Sequence, residues 1–368
     1  MIRRGRKSAP APHRRIAPIR LLVTGNQGFI GPVLTAAAKA RGHQVTGLDI
    51  GYFEDCLAGP EPDAPPDRQI RRDIRDVAAE DLAGIDGVIH LAGLSNDPMG
   101  ELNPRLTHDI NMDGTRRLAR LAKQAGVGRF VFASSCSIYG AAGGGAALDE
   151  TAPLGPVSAY AVSKAQSEVA LSTLADKSFS PVFMRNATAY GLGARPRFDL
   201  VVNNLCGWAW TTGAVRVMSD GTPWRPLVHI EDIALAALCA AEAPRETVHD
   251  QAFNIGRTDA NYQVSDIAEA VCRAFPAARL EITGEAGGDP RSYRVDFTKA
   301  LTTLPGFAPQ WTLERGVEEA ARWLRDGGLR DAGFDSRLFV RLKQLRHEMD
   351  SGRLDAQLRR VRSARSAA

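Results

Sequence analysis

Ile19-Arg20-Leu21-Leu22-Val23-Thr24-Gly25-Asn26-Gln27-Gly28-Phe29-Ile30-Gly31 decides the fold of this chain. Ile19 to Thr24 reads as a buried strand, the glycines at 25, 28 and 31 as a loop, and Pro32 to Ala40 as a helix closed by Arg41-Gly42-His43. A second strand, Gln44 to Leu48, then ends on Asp49. In such a unit the glycines let the backbone approach a pyrophosphate, which sits at the positive end of the helix. An acid about 20 residues further on binds the hydroxyls of an adenosine ribose. Asp49 stands there, and its carboxylate would repel a 2′-phosphate, so the expected cofactor is NAD rather than NADP.

The pattern repeats outward from this unit. Gln69 to Asp76 contains a short strand ending at Asp73, and Asp86 to Gly93 is a buried strand that opens into Ser95-Asn96-Asp97-Pro98. Asp109 to Gln124 reads as a helix with Leu118, Leu121 and Ala122 on its apolar face, and Arg129 to Ala133 as a strand delivering Ser134 and Ser135. His90, on an apolar strand, reads as a core residue rather than a catalyst. Alternating strands and helices predict an α/β fold: a doubly wound parallel (Rossmann) sheet with ligands beyond its carboxyl ends. Further strands are expected at Pro181 to Arg185 and Ala252 to Gly256, with helices at Val202 to Trp210 and Ile230 to Ala243.

If Ser158 caps a helix, Tyr160 and Lys164 are i and i+4 neighbours on one face. A lysine beside a phenol favours the phenolate, and a serine hydroxyl alongside can donate to the oxygen of an alcohol or ketone. Ser135, Tyr160 and Lys164 are therefore the candidate catalytic residues.

Gly25-x-x-Gly28-x-x-Gly31, Asp73-Ile74, Asn111-Met112-Asp113-Gly114-Thr115, Ser135 and Tyr160-x-x-x-Lys164 together resemble the extended short-chain dehydrogenase/reductase family, and within it the nucleotide-sugar epimerases and dehydratases. The resemblance runs from about Ile19 to about Trp323. It implies that NAD lies against Gly25, Gln27, Gly28, Phe29, Ile30 and Asp49, then Asp73, Ile74, Leu91, Ala92, Gly93 and Asn111, and finally Ser134, Tyr160 and Lys164. It places a nucleotide-diphosphate sugar against Ser95, Asn96, Thr188, Asn203, Arg225 and Arg291, with Arg294 as the alternative to Arg291. Thr188 stands where members commonly carry asparagine, and Pro226 replaces an aspartate next to the diphosphate-binding Arg225. Dehydratases of this branch have an Asp-Glu pair just after the catalytic hydroxyl residue; here those positions are Cys136 and Ser137. The GDP-sugar 3,5-epimerases place a cysteine two residues before the motif tyrosine of that segment; here Ser137 stands there. A 4-epimerase is thus the expected activity, with a 4-ketosugar reductase as the alternative. A silent NAD-binding sensor is a third reading, disfavoured because both Tyr160 and Lys164 are present.

Composition agrees. With 44% hydrophobic and 24% charged residues the chain is an ordinary globular one, and no apolar run reaches the roughly 20 residues that span a bilayer. The net charge of +4 is concentrated in basic ends, which read as solvated tails rather than nucleic-acid contacts. Five cysteines without C-x-x-C spacing suit a reducing, cytoplasmic setting and no metal site. The expected organisation is a basic tail over 1–18 and an NAD-binding domain over 19–186, to which 229–257 returns. A smaller mixed α/β substrate-binding domain follows over 187–228 and 258–330, then a helical extension over 331–368. Ser336 to Arg360 carries apolar residues at near-helical spacing and reads as a packing or dimerisation helix, in an expected homodimer.

Overall fold

A computed structural model describes residues 17–58, 64–140, 146–284, 292–329 and 332–361. Most of the basic N-terminal segment, Arg291 and the last seven residues lie outside them.

Seven parallel strands form the central sheet: β1 (Arg20–Thr24), β2 (Gln44–Asp49), β3 (Arg68–Arg71), β4 (Gly87–His90), β5 (Arg129–Ser135), β6 (Ser180–Asn186) and β7 (Gln251–Ile255). Their order is β7-β6-β5-β4-β1-β2-β3. The chain reverses direction across the sheet between β1 and β4, the switch point at which such sheets open a crevice. The inner strands β1, β4, β5 and β6 are buried on both faces, which is why they read as continuous apolar runs rather than alternating ones. One face packs Leu34 and Ala38 of α1 (Gly31–Ala40) with Ala234 and Leu238 of a later helix, Ile230–Glu242. The other takes Leu118 and Ala122 of α2 (Gly114–Gln124) and Leu171 of α3 (Ala159–Ser172).

The expected helix Asp109–Gln124 is not one regular helix. Asp109–Asp113 forms a turn of π-helix, and the α-helix starts only at Gly114. The widened turn sets Asn111 beneath the β4 loop, where its Oδ1 accepts from Leu94 N at 2.8 Å and its Nδ2 donates to Leu94 O at 3.0 Å.

A smaller unit stands over the carboxyl ends. Trp224–His229 pairs in parallel with Thr188–Tyr190 and antiparallel with Asn261–Gln263, and Arg279–Ile282 runs parallel to Ala214–Val217. Its core is Phe198, Val202, Ile267, Val317 and Leu324, separate from the two that flank the main sheet.

The C-terminal extension departs from expectation. Its helix covers only Arg341–Asp350 and ends at Ser351-Gly352, where Gly352 takes φ +68°. The chain then folds back, with Leu354 bridging to Arg360, and inserts Leu345, Leu354 and Leu358 into the core beneath β2 and β3. The apolar spacing is satisfied by intramolecular packing.

Candidate active site

One cleft of about 1080 Å³ runs from the glycine loop across the carboxyl ends of β1, β4 and β5 and under the smaller unit. At its floor the glycine spacing has a direct steric cause. Gly25 takes φ +73°, and a Cβ there would lie 2.8 Å from Ala92 N; a Cβ on Gly31 would lie 2.5 Å from Asn26 backbone. Side chains would fill the cradle and push β1, β4 and α1 apart.

Asp49 closes this end. Its Oδ2 accepts from Gln27 N at 3.0 Å and its Oδ1 from Gly51 N at 2.8 Å. Burial raises its pKa, opposed by these two donors and by the nearby Arg195. Asp73 caps the next turn by accepting from Arg75 N at 2.8 Å and pairs with the Arg75 guanidinium at 2.6 Å. Ile74 beside it is buried. Gly25, Gly28, Phe29, Ile30, Asp49, Asp73, Ile74, Leu91, Ala92 and Gly93 all line the cleft. Gln27 and Asn111 do not: Gln27 contributes its N–H to Asp49, and Asn111 holds Leu94 and donates to Ser163 Oγ at 3.1 Å. Both shape the loops under the site.

At the other end Ser158 caps α3 as expected, its Oγ accepting from Ala161 N at 3.2 Å. The hydroxyl also donates to Asp97, and Glu101 accepts from Ala159 N at 2.9 Å, so two carboxylates buttress the positive helix terminus. Lys164 Nζ lies 5.8 Å from the centre of the Tyr160 ring and 4.7 Å from that of Phe132, and donates to Ala133 O at 2.7 Å. Burial pulls its pKa down to about 8, partly offset by Glu168. Ser135 Oγ accepts from Ser137 N at 3.1 Å, which leaves the hydroxyl proton to be donated elsewhere. Ser135, Tyr160 and Lys164 thus meet in one cleft. The Ser134 hydroxyl turns away to Glu168 at 2.5 Å, and Glu168 pairs with Arg185 at 2.8 Å; only the rest of Ser134 faces the cleft.

His90 is a satisfied core residue. Its ring nitrogens meet Thr24 Oγ1 at 2.6 Å and Thr115 Oγ1 at 2.7 Å, and burial holds its pKa down at about 3.

On the upper wall Ser95, Asn96, Thr188 and Arg225 line the cleft. Asn203 does not. Its amide accepts from Gly191 N at 3.2 Å and donates to Gly191 O and Arg197 O at 2.8 Å, pinning the 191–197 loop. Its neighbour Asn204 is the one that faces the cleft. Arg291 lies outside the described residues; Arg294 does not line the cleft, although Tyr293 does.

Several cleft residues escaped the sequence reading: Ser137, Asn186, Arg197, Arg216 and Arg341. Ser137 Oγ and Asn186 Oδ1 are buried and lack hydrogen-bond partners among the described residues. Asn186 ends β6 at the sheet's carboxyl edge, a position that could have flagged it. Arg341 had no such signal.

Residues 21–256 match the family model described as the NAD dependent epimerase/dehydratase family. The chain belongs to that family. Its members are enzymes, and NAD is their cofactor. The chain is 28% identical over 338 residues to a UDP-glucose 4-epimerase of Neisseria meningitidis serogroup C, covering 83% of this chain and 97% of the relative. It is 29% identical over 330 residues to a dTDP-glucose 4,6-dehydratase of Streptomyces antibioticus, covering 84% and 93%. Among solved structures it is similar to MoeE5 in complex with UDP-glucose and NAD, with a TM-score of 0.72, 28% identity, and coverage of 84% of this chain and 99% of that one. The cleft suits the cofactor: a cradle only glycine permits, an acid fixed by two N–H groups, and a path from there to Lys164. Among the described residues no helix is long and apolar enough to cross a membrane.

Proposed function

We propose that the chain is a nucleotide-sugar 4-epimerase working through a transient 4-ketosugar. The observation that carries this reading is the acid–base set itself. Ser135, Tyr160 and Lys164 line one cleft, while the two positions after Ser135 hold no carboxylate. Cys136 is buried, its Sγ donates to Arg185 O at 3.1 Å, and burial pushes the thiol pKa up, so it offers no acid or base for eliminating water. Ser137 cannot replace a carboxylate either.

NAD, when bound, accepts and returns hydride. The protein's part is the proton and the positioning. Tyr160, supported by the Lys164 ammonium, takes the proton of the C4 hydroxyl and later returns it. Ser135, whose oxygen already accepts from Ser137 N, donates to the oxygen that becomes the ketone. Gly25, Gly28, Phe29, Ile30 and Asp49 hold the dinucleotide, with Asp49 on the adenosine ribose. Arg225, whose Nη1 donates to Trp224 O at 2.9 Å, would hold the sugar nucleotide's diphosphate, a group that suits arginine's planar fork. Epimerisation requires the ketosugar to present its other face to the cofactor.

UDP-, dTDP-, GDP-, CDP- and ADP-sugars carrying deuterium at C4 test this by NMR. An epimerase returns a C4 epimer that keeps its deuterium, without added NAD(P)H. Consumption of one reduced cofactor per ketosugar, with no hydroxyl sugar epimerised, would show a reductase and sink the reading.

A further inference from the structure

Arg341 is 1% exposed, yet among the described residues no carboxylate pairs with it and its Nη1 has no hydrogen-bond partner. Among the described residues its one hydrogen bond is Nη2 donating to Arg195 O at 2.7 Å, and the guanidinium lies 4.8 Å from the centre of the Phe53 ring. Burying an unpaired cation is costly, so such a group is retained where a counter-charge arrives. Burial already pulls its pKa down to about 10, and Arg197 and Arg195 lower it further against the opposing pull of Cys56 and of the Asp199 carboxylate, which lies beyond pairing distance.

The position says which anion. Arg197 donates to Ser95 Oγ at 3.0 Å, in the loop after β4, and Arg195 donates to Phe53 O at 3.1 Å, in the loop after β2. Between β4 and β2 in the sheet lies β1, whose glycine loop leads into the N-terminus of α1. The connecting segment rides on that loop, since a Cβ on Gly193 would lie 3.2 Å from Phe29 O. Arg197 is already engaged by Asp199 at 2.9 Å and Arg195 does not line the cleft, so Arg341 is the lining arginine of the three without an ion pair among the described residues. It lines the same cleft and is carried by a helix outside the family match of 21–256.

We propose that Arg341 completes the cofactor site from the C-terminal extension by binding the diphosphate of the dinucleotide opposite the glycine loop. The inference rests on the NAD-site reading above. The extension is tied down at the same end of the cleft: Tyr52 donates to Leu358 O at 2.5 Å, and Arg360 donates to Ile50 O at 3.2 Å. Cofactor retention and docking of the extension are therefore coupled.

The test is calorimetric titration of the full chain, stripped of nucleotide, with NAD, ADP, adenosine and UDP. Arg341→Met should weaken NAD and ADP roughly 10- to 100-fold, as expected for losing a hydrogen bond between charged groups. Adenosine, which has no phosphate, and UDP, which probes the sugar-nucleotide half, should bind as before. Arg341→Lys should recover part of the loss as a point charge without the fork. The ligand-free melting temperature of Arg341→Met should not fall, because an unpaired buried charge has been removed. Unchanged NAD and ADP affinities would overturn the proposal. So would equal losses for adenosine or for UDP, or a lowered ligand-free melting temperature with an undiminished rise on adding NAD. Failure of the unaltered protein to bind NAD would instead overturn the cofactor-site reading, and the proposal with it.

Discussion

The corner around Tyr160 and the C-terminal wrap around Tyr52 border the same cleft but are built in opposite ways. In the corner, partners are near in sequence or on adjacent strands. Lys164 follows Tyr160 by one helical turn, Ser158 caps that helix, and Ser135 ends the strand whose Ala133 O receives Lys164. In the wrap, partners are about as distant as the chain permits: Tyr52 with Leu358, Arg75 with Gln357 O at 2.9 Å, Gly51 with Arg360. The corner holds a few groups in a fixed geometry, so its variants should alter chemistry and spare the fold. The wrap covers apolar surface and closes polar groups, so its variants should alter stability and ligand retention and spare the chemical step.

The largest effect expected from breaking this division is at Tyr160. Tyr160→Phe removes the oxygen proposed as acid and base and should lower turnover by roughly 10² to 10⁴-fold. Bound NAD, released on denaturation and quantified, should stay at the level of the unaltered protein. A parallel loss of NAD would show that the Tyr160 hydroxyl is needed to hold the cofactor and not only for the chemical step.

A second effect sharpens the electrostatic side. Lys164 has its pKa lowered from 10.5 to about 8 by burial, so the fold disfavours its charged form. That penalty is fully present below pH about 8 and is relieved as pH rises toward 10.5, with a span on the order of 3 kcal/mol. Lys164→Met should therefore be most stabilised, relative to the unaltered protein, at neutral pH, and the gap should narrow above pH 8; urea midpoints across pH read this directly. Turnover in the unaltered protein should decline as pH rises through the same value, because the ammonium that supports the phenolate is lost. A stability gap that does not vary with pH would contradict the buried-lysine account.

The smallest effect is expected in the wrap. Tyr52→Phe deletes the hydroxyl that donates to Leu358 O and should cost about 1 kcal/mol in urea unfolding, with turnover at saturating NAD unchanged. Burial raises the Tyr52 pKa, so this contact loses nothing to ionisation at neutral pH. A turnover defect at saturating NAD would mean that the wrap reaches the chemistry and that the two regions are not separable.

Most of the sheet was legible because β1, β2, β4 and β5 are short, mostly apolar runs leading into glycine, aspartate or serine, and those endings line the cleft floor. The carboxyl end of β1 had to be glycine, since Ala92 backbone occupies the space of a Cβ on Gly25. The predicted catalytic residues came together because a helical turn and a strand end place them locally. Asn111 and Asn203, expected as ligand contacts, stand outside the lining of the cleft. A resemblance records that an amide stands at a position but not whether it faces a ligand or a loop, and both amides bond to loops. The long C-terminal helix was misread because apolar spacing continues past Gly352, while the backbone turns there at φ +68°.

What the sequence determined by itself is therefore the periodic and the local: a parallel α/β sheet, a glycine cradle ending in Asp49, and a Tyr160–Lys164 pair beside Ser135. Hydrophobic period, steric exclusion at glycine and helical spacing act over a few residues, so they are written in consecutive positions. Only the tertiary structure decided that Asn204 rather than Asn203 faces the cleft, that Ser137 and Asn186 hold buried unpartnered oxygens there, and that Arg341 arrives from the far end of the chain. These depend on which surfaces meet when distant segments pack, and a buried charge without a partner becomes visible only once its surroundings are in place.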